Sequence, residues 1–285
     1  MERINERNIS FNLIEKKNLV ILDSSFEDHS HYTKNLLLSI LEEYKKKHQK
    51  RCVFHVMNQK LEDGENIFYK NFCWKLYKNI TPPKYEKNLY NFTYLCGCPR
   101  IDKLHMLSAL FDNNLLGEET LWSCGSIDKK LINQIKRKIN LPKSPKILDY
   151  DKSIKGKREC WSEIQLHFFK RSRFSLVQET EMTNRSNRYT EKTYKCFWMK
   201  HPFILAGNYQ TLKLLKNDGF KTFHPYIDES YDDIEDRDER IKEIIKQLKI
   251  LNKKREDEWQ LFFENINPIL NYNYKHAQNM SLYDR

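Results

Sequence analysis

The sequence predicts an α/β protein of two lobes. Short apolar runs alternate with stretches of helical periodicity along the chain, which is the pattern of parallel strands covered by helices. The length of 285 residues is close to that at which a single hydrophobic core divides into two. Apolar residues make up 39% and aromatic residues 13% of the chain, and this content excludes a disordered protein.

The first lobe is predicted over residues 1–85. The apolar run NLVILD (18–23) reads as a buried strand, and a helix with one apolar face follows over residues 33–48. The next apolar run, RCVFHVMN (51–58), reads as a second strand. A strand, a helix and a strand in this order predict a small parallel unit.

The second lobe is predicted over residues 86–285, because Pro82 and Pro83 interrupt regular structure just before it. The proline-marked connection LPKSPK (141–146) is a rival boundary. Its first elements are expected to be a strand in NFTYLCGCPR (91–100), a helix after Pro99 and a helix through Trp161 and Phe168. They are followed by the strand FSLVQE (174–179), a helix from Thr190, the strand PFILAG (202–207), a helix ending at Gly219 and the strand FKTF (220–223). The lobe ends with a long helix after the acidic run DESYDDIEDRDER and with a helical tail. The alternation indicates a doubly wound, Rossmann-like sheet.

Polar side chains at the carboxyl ends of these strands are candidates for ligand binding, because open α/β sheets bind ligands there and helix N-termini point to the same edge. They are Arg100, Lys103, Glu179, Arg188, Thr190, Glu191 and Lys192. Backbone N–H groups and cations bind phosphate oxygens, and a carboxylate accepts from two vicinal hydroxyls. The pattern therefore favours a diphosphate with a sugar attached, although Lys192 taken alone also fits a solvated surface charge.

The charge of the chain is consistent with such a ligand. Fifty Lys and Arg residues against 39 Asp and Glu residues give a net charge of +11, which favours a phosphate-bearing or polyanionic partner. With only 7 glycines, the chain has neither a Gly-x-Gly-x-x-Gly run after a strand nor a Walker loop. A dehydrogenase or an NTPase of the usual kind is therefore disfavoured.

The cysteines and the apolar runs bear on location. The seven Cys residues are odd in number and scattered, as in proteins of reducing compartments. The sequence contains neither a recognisable signal peptide nor an apolar run of ~18 residues. We therefore expect a cytoplasmic protein without a transmembrane segment.

The stretch FSLVQETEMTNRSNRYTEKTYKCFWMKHPFILAG (174–207) resembles the donor-binding core of GT-B glycosyltransferases of the α1,3-fucosyltransferase type. In that family a strand ending in Phe-Glu-Asn is followed by Tyr-Val-Thr-Glu-Lys and then by an apolar strand ending in Gly. Glu179, YTEK (189–192) and PFILAG correspond in order and approximate spacing, with Gln178 and Thr180 in place of Phe and Asn. The layout is also similar to uncharacterised glycosyltransferase-like proteins of large DNA viruses and phages.

The resemblance implies a GT-B fold whose small first lobe serves the acceptor. The implied donor-binding residues are Lys192, Glu179, Arg100, Glu191, Thr190 and Arg188. Among them, Lys192 and Arg100 would hold the donor diphosphate, and Glu179 would contact the sugar or the ribose. The resemblance also implies an inverting transfer from a GDP- or UDP-sugar to a glycan or glycoprotein, without a metal or another cofactor, and the host cytoplasm as the location of a viral protein.

Inversion requires a base in the acceptor lobe that takes the proton of the attacking hydroxyl. The loop DSSFEDHSH (23–31) follows a predicted strand of that lobe. It offers Asp23, Glu27, Asp28, His29 and His31 as candidates for the base. We favour Glu27, with Asp23 next.

Two other classes of function remain open on the same residues. A basic chain rich in aromatic residues can bind nucleic acid through backbone contacts and base stacking without catalysis. A degenerate transferase fold can also serve as a structural protein. We favour a transferase that moves a hexose, deoxyhexose or pentose, and we therefore expect no nucleic-acid partner.

Overall fold

The structure is a computed structural model that describes residues 2–4, 9–23, 33–56, 58–69, 81–86, 89–97, 99–135, 140–142 and 166–280. These residues form two compact units. The smaller unit contains the described residues up to Tyr69 together with the segment Arg185–Arg188, and the larger unit contains the remaining described residues up to Met280. Both units are α/β with parallel strand pairs, as the sequence predicts.

The smaller unit is built on one five-stranded sheet. Its strands, in the order in which they pair, are β1 (Glu2–Ile4), β2 (Ile9–Lys16), β3 (Leu19–Asp23), β4 (Arg51–Val56) and β5 (Ile67–Tyr69). The last three strands are parallel, which confirms the predicted parallel unit, whereas β1 and β2 add antiparallel pairs. The hairpin between β2 and β3 is an addition to the predicted elements, and its signal is the two-residue connection Lys17 and Asn18.

Among the described residues, one α-helix packs against this sheet. Helix α1 (Lys34–His48) begins after Thr33, whose hydroxyl accepts from the N–H of Leu36 at 3.2 Å, and it ends at Gln49 in the left-handed conformation. Its buried side chains are Leu37, Ile40, Leu41 and Tyr44. Their spacing of three and four residues places them on one face, where they join a core with Val20 and Phe54.

The larger unit is built on a four-stranded sheet in which every pair is parallel. Its strands, in the order in which they pair, are β7 (Thr120–Cys124), β6 (Tyr90–Cys96), β8 (Ser172–Gln178) and β9 (Phe203–Ala206). The predicted strands at β6, β8 and β9 are confirmed, and β7 is an additional strand. Because all four strands run the same way, their carboxyl ends meet at one edge of the sheet.

The predicted strand FKTF (220–223) is wrong, since this segment forms no strand. The side chain of Asn273 bonds both backbone groups of Lys221, each at 2.8 Å, and Glu229 accepts from the N–H of Phe223 at 2.6 Å. These contacts occupy backbone N–H and carbonyl groups that would otherwise form the hydrogen bonds of a sheet. The aromatic side chains of the segment are buried instead of alternating across a sheet, and Phe220 stacks on Phe197 with ring centres 4.0 Å apart.

Seven helices are described in the larger unit. They are α2 (Ile101–Asp112), α3 (Lys129–Asn133), α4 (Leu166–Arg171), α5 (Glu191–Met199), α6 (Thr211–Asn217), α7 (Arg237–Asn252) and α8 (Glu256–Asn279). The long helix after the acidic run is α7, which begins at Asp236, whose carboxylate accepts from the N–H groups of Asp238 and Glu239. None of the helices described for this chain is both long enough and apolar enough to cross a bilayer.

The larger unit includes the described residues 81–86, so it begins before the predicted boundary between residues 85 and 86. The ring of Tyr85 stacks on that of His201 with centres 6.0 Å apart. The segment Arg185–Arg188, predicted as part of the second lobe, belongs to the smaller unit.

Candidate functional site

A cavity of about 400 Å³ lies in the larger unit along the carboxyl halves of β6 and β8. Its apolar lining consists of Leu95, Leu176, Val177, Phe168 and Phe169. Residues of α5 and of the first turn of α2 complete it. The cavity therefore lies at the edge of the sheet where open α/β folds bind their ligands.

Five charged side chains line this cavity. They are Arg100, Lys103, Lys192, Lys195 and Glu191, which gives four cations against one carboxylate. Arg100 is the N-cap residue of α2, and Glu191 is the first residue of α5. Two helix N-termini, each carrying a partial positive charge, therefore add to an electropositive cavity suited to phosphate oxygens.

Glu179 follows β8 and is bonded to the start of α5. Its Oε1 accepts from the N–H of Thr190 at 2.8 Å and from the hydroxyl of Thr193 at 2.7 Å, and its Oε2 accepts from the hydroxyl of Thr190 at 2.6 Å. The side chain is only 2% exposed. Thr190 occupies the predicted N-cap position but makes no side-chain cap bond, so the acceptor for this helix start is a carboxylate from the neighbouring strand.

Lys192 lies in the first turn of α5, where a cation opposes the helix dipole. Its ammonium donates to the hydroxyl of Thr190 at 2.8 Å and lies 3.0 Å from Glu191 Oε1 and 3.6 Å from Glu179 Oε2. The side chain remains 28% exposed. Two carboxylates therefore offset the unfavourable position of this cation, and the ammonium still faces the cavity.

Glu191 is the carboxylate that lines the cavity. Burial raises its pKa, but the charges of Lys192 and Lys195 and a hydrogen bond from Lys192 outweigh burial, and the net pKa is lower than usual. Glu191 is therefore ionised at neutral pH, and its oxygens can accept hydrogen bonds from hydroxyl groups.

A buried network fixes the start of α2 beside the cavity. The side chain of Gln178 accepts from the hydroxyl of Tyr94 at 2.6 Å and donates to the carbonyl of Asp102 at 3.0 Å. The carboxylate of Asp102 accepts from the N–H of Met182 at 2.8 Å and from Arg237 at 2.9 Å. The first turn of α2, which carries Arg100 and Lys103, is thereby attached to the end of β8.

The structure brings together only part of the predicted site. Arg100, Glu191 and Lys192 line the cavity, and Glu179 and Thr190 are bonded to Lys192 or lie within 3.6 Å of it. Arg188 lies in the segment of the smaller unit where Asn187 donates its N–H to Asn58 Oδ1 at 3.1 Å.

The two favoured candidates for the catalytic base belong to the first part of the chain. Asp23 is the last residue of β3, where it pairs in register with Asn12 and His55. Glu27 lies outside the described residues, as do Asp28, His29 and His31. Both assignments remain predictions.

Lys195 and Thr193 are functional candidates that are additional to the sequence-based set. Lys195 follows Lys192 by three residues, and Thr193 follows Thr190 by three. Residues three apart share a face of a helix. The helical period of α5, applied to the predicted start at Thr190, is the signal that points to both.

A second depression of about 520 Å³ lies at the opposite ends of β6 and β8. Its charged residues are Glu86, Glu118, Glu119, Arg171 and Arg173. Arg171 lies 3.6 Å from Glu86, and Arg173 is paired with Glu256. Both arginines are therefore held in local ion pairs, and Glu119 accepts from the side-chain amide of Asn91 at 3.0 Å. Within the described ranges of the chain, no three His, Cys, Asp or Glu side chains are arranged to hold a metal ion.

Comparison of the chain with known protein families, with curated proteins and with solved structures finds no match. The fold and the cavity define the class of the protein as α/β with one mixed sheet, one parallel sheet and an electropositive cavity at the carboxyl edge of the parallel sheet. The particular activity is therefore argued from the site.

Proposed function

We propose that the protein is a glycosyltransferase that moves a sugar from a nucleotide-diphosphate donor to a hydroxyl group of a glycan or another acceptor. The observation that carries the proposal is the placement of Arg100, Lys103, Lys192 and Lys195 around one cavity at the carboxyl edge of a parallel sheet. Three of these cations stand at or next to helix starts, where diphosphates are bound. The stretch that resembles the donor-binding core of the fucosyltransferase type supplies two of the four.

The chemistry follows from the charges. The acceptor oxygen attacks C1 of the sugar while the bond from C1 to the diphosphate oxygen breaks, and negative charge develops on the leaving diphosphate. Lys192, Arg100 and the helix N–H groups stabilise that charge, so the proposed reaction needs no metal. Asp23 or Glu27 takes the proton of the acceptor hydroxyl. A GT-B arrangement, inversion at C1 and a cytoplasmic location are parts of this proposal.

A thermal-shift panel of UDP-, GDP- and CMP-sugars tests the donor site. A nucleotide sugar at ~100 times its dissociation constant adds about 2.7 kcal/mol to the free energy of unfolding. We expect a rise in Tm for the wild type with one class of donor, and the loss of that rise in Lys192→Ala, because the cation nearest the α5 start is removed.

Lys242→Ala is the matched control. Its side chain is 68% exposed and its ammonium pairs with Glu239 on α7, so the variant removes the same charge from a solvated face. It should keep the nucleotide response of the wild type. The absence of a shift with every nucleotide sugar in the wild type would contradict the proposal.

A second candidate function is nucleic-acid binding, and one observation favours it. Lys242, Lys246, Lys249 and Lys253 line a groove of about 500 Å³ beside α7. Lys242 and Lys246 are, however, paired with glutamates of the same helix. Backbone binding would depend steeply on salt and on many lysines. Tight DNA or RNA binding that Lys192→Ala leaves unchanged would favour this function.

A further inference from the structure

Both carboxylate oxygens of Glu179 accept hydrogen bonds from groups of the same chain. Three hydrogen bonds of 2.6 to 2.8 Å reach its two oxygens, and Lys192 is the nearest cation at 3.6 Å. A carboxylate offers about four lone-pair directions, and the three hydrogen bonds occupy three of them, while the ammonium of Lys192 lies beside Oε2. Glu179 is 2% exposed, so burial together with these internal bonds keeps its oxygens from the hydroxyl groups of a ligand.

The hydroxyl of Thr190 connects Glu179 to Lys192. It has one proton, which it donates to Glu179 at 2.6 Å, and it accepts from the ammonium of Lys192 at 2.8 Å. The direction of each bond is fixed, since an ionised carboxylate only accepts and an ammonium only donates. The chain from Glu179 through Thr190 therefore supplies the shortest hydrogen bond given for the Lys192 ammonium, at 2.8 Å, beside Glu191 Oε1 at 3.0 Å and the hydroxyl of Thr180 at 3.4 Å.

We infer that Glu179 is a positioning residue, which holds Lys192 in place for an anion and does not touch the donor. The inference rests on the proposed function in taking the anion to be a diphosphate. It differs from the role that the sequence resemblance implies for this glutamate, a contact with the sugar or the ribose. A flexible lysine that is fixed before binding loses less conformational freedom when the anion arrives.

Glu179→Gln tests the inference with little change in shape. The amide oxygen still accepts from Thr190 N–H and Thr193, but the amide nitrogen meets the Thr190 hydroxyl and cannot accept from it. Calorimetric titration with inorganic diphosphate, GDP-fucose and UDP-glucose measures the effect. We expect the affinity for inorganic diphosphate to fall about tenfold, and the affinity for the nucleotide sugar that binds the wild type to fall by the same factor.

The alternatives give different results. A direct contact with the sugar or ribose lowers the affinity for the nucleotide sugar and leaves that for inorganic diphosphate unchanged. A purely structural role lowers Tm and leaves both affinities of the folded protein unchanged. Either result overturns the inference.

Two further variants extend the test, and the first of them keeps it decisive if Glu179→Gln does not fold. Thr193→Val removes one hydrogen bond from Glu179 while its charge is kept, and we expect a smaller fall that is again equal for inorganic diphosphate and nucleotide sugar. In a Lys192→Ala background, Glu179→Gln should cause no further fall, because residues that act as a unit are not additive. Additive losses would overturn the inference.

The two proposals fail separately. If the wild type binds neither inorganic diphosphate nor a nucleotide sugar, the proposed function is overturned and this inference with it. If the wild type binds them and Glu179→Gln binds them equally well, only the positioning role is overturned.

Discussion

Gly125 is the position where two backbones approach each other at the carboxyl edge of the larger sheet. It follows β7, and its N–H donates to the carbonyl of Cys96 at 2.9 Å. A Cβ atom there would lie 2.1 Å from the carbonyl oxygen of Gly97. We expect Gly125→Ala to lower the free energy of unfolding in urea by about 2 kcal/mol, within the range that overpacking causes.

Gly117→Ala is the control for this variant, because no atom lies within 4 Å of a Cβ at that position. It should change the free energy of unfolding by no more than about 0.5 kcal/mol. Equal decreases in the free energy of unfolding of the two variants would show that the short distance between Gly125 and Gly97 does not cause the destabilisation.

The candidate site was predictable at the residue scale only in part. The start of α5 at Thr190 and the place of Lys192 in its first turn follow from local sequence signals. The partners of Lys192 do not, because Glu179 is separated from it by a loop whose path depends on contacts such as that of Arg240 with Met182, 2.8 Å apart. The sequence therefore predicts that Glu179 contacts a ligand, whereas the contacts present in the structure are with Thr190 and Thr193 at the start of α5.

At the scale of elements, Arg240 connects α7 to the loop after β8. Its guanidinium donates to the carbonyls of Ile234, Glu235 and Met182 and to the side chain of Asn184, and it is 1% exposed. We expect Arg240→Met to lower the free energy of unfolding in urea by about 3 kcal/mol, because buried carbonyls lose their donor. Amide hydrogen exchange of residues 180–184 should become faster.

Arg255→Met provides the comparison for Arg240→Met. Its side chain is 74% exposed and its guanidinium pairs with Asp257 two residues away, and exposed pairs contribute about 0–1 kcal/mol. Unfolding of Arg240→Met at the same urea concentration as Arg255→Met would contradict a connecting role.

The elements that the sequence predicts are those with strong local patterns. Helix α1 has both a cap at Thr33 and an apolar face, and β3 and β4 are apolar runs bounded by polar loops. The segment 220–223 has a similar apolar pattern but forms no strand, since Asn273, about 50 residues later, takes its backbone groups. Such a competitor cannot be found from the segment itself.

At the scale of the whole molecule, His201 should make stability depend on pH. It is 1% exposed, and burial lowers its pKa to about 3, against about 6.5 in the unfolded chain. The stability that the buried, neutral His201 contributes to the free energy of unfolding is fully present above pH 6.5 and is lost as the pH falls toward 3. At pH 4.5 the loss amounts to about 3 kcal/mol, from about two pKa units.

Urea unfolding between pH 7.5 and 4.5 measures this effect. We expect the decrease to be about 3 kcal/mol smaller in His201→Gln, whose side chain does not titrate. His224→Gln, at an exposed position, should retain the decrease of the wild type. Parallel profiles for the wild type and His201→Gln would show that another group is responsible.

The two-unit organisation could be predicted from chain length and alternation, but the membership of Arg185–Arg188 could not. That segment joins the smaller unit through bonds of Asn187 with Asn58 and Gln59, each of 3.1 Å, across more than 120 positions of sequence. Local periodicity carries no information about contacts at such a separation.

The segment Arg185–Arg188 also limits where recombination between related genes can give a folded protein. The smaller unit is not a contiguous stretch of sequence, because four of its residues are encoded within the larger one. A recombination crossover between related genes near residue 75 would combine the Asn58 and Gln59 of one parent with the Asn187 of the other. Viable chimeras should therefore be those in which the two parents agree at these three codons.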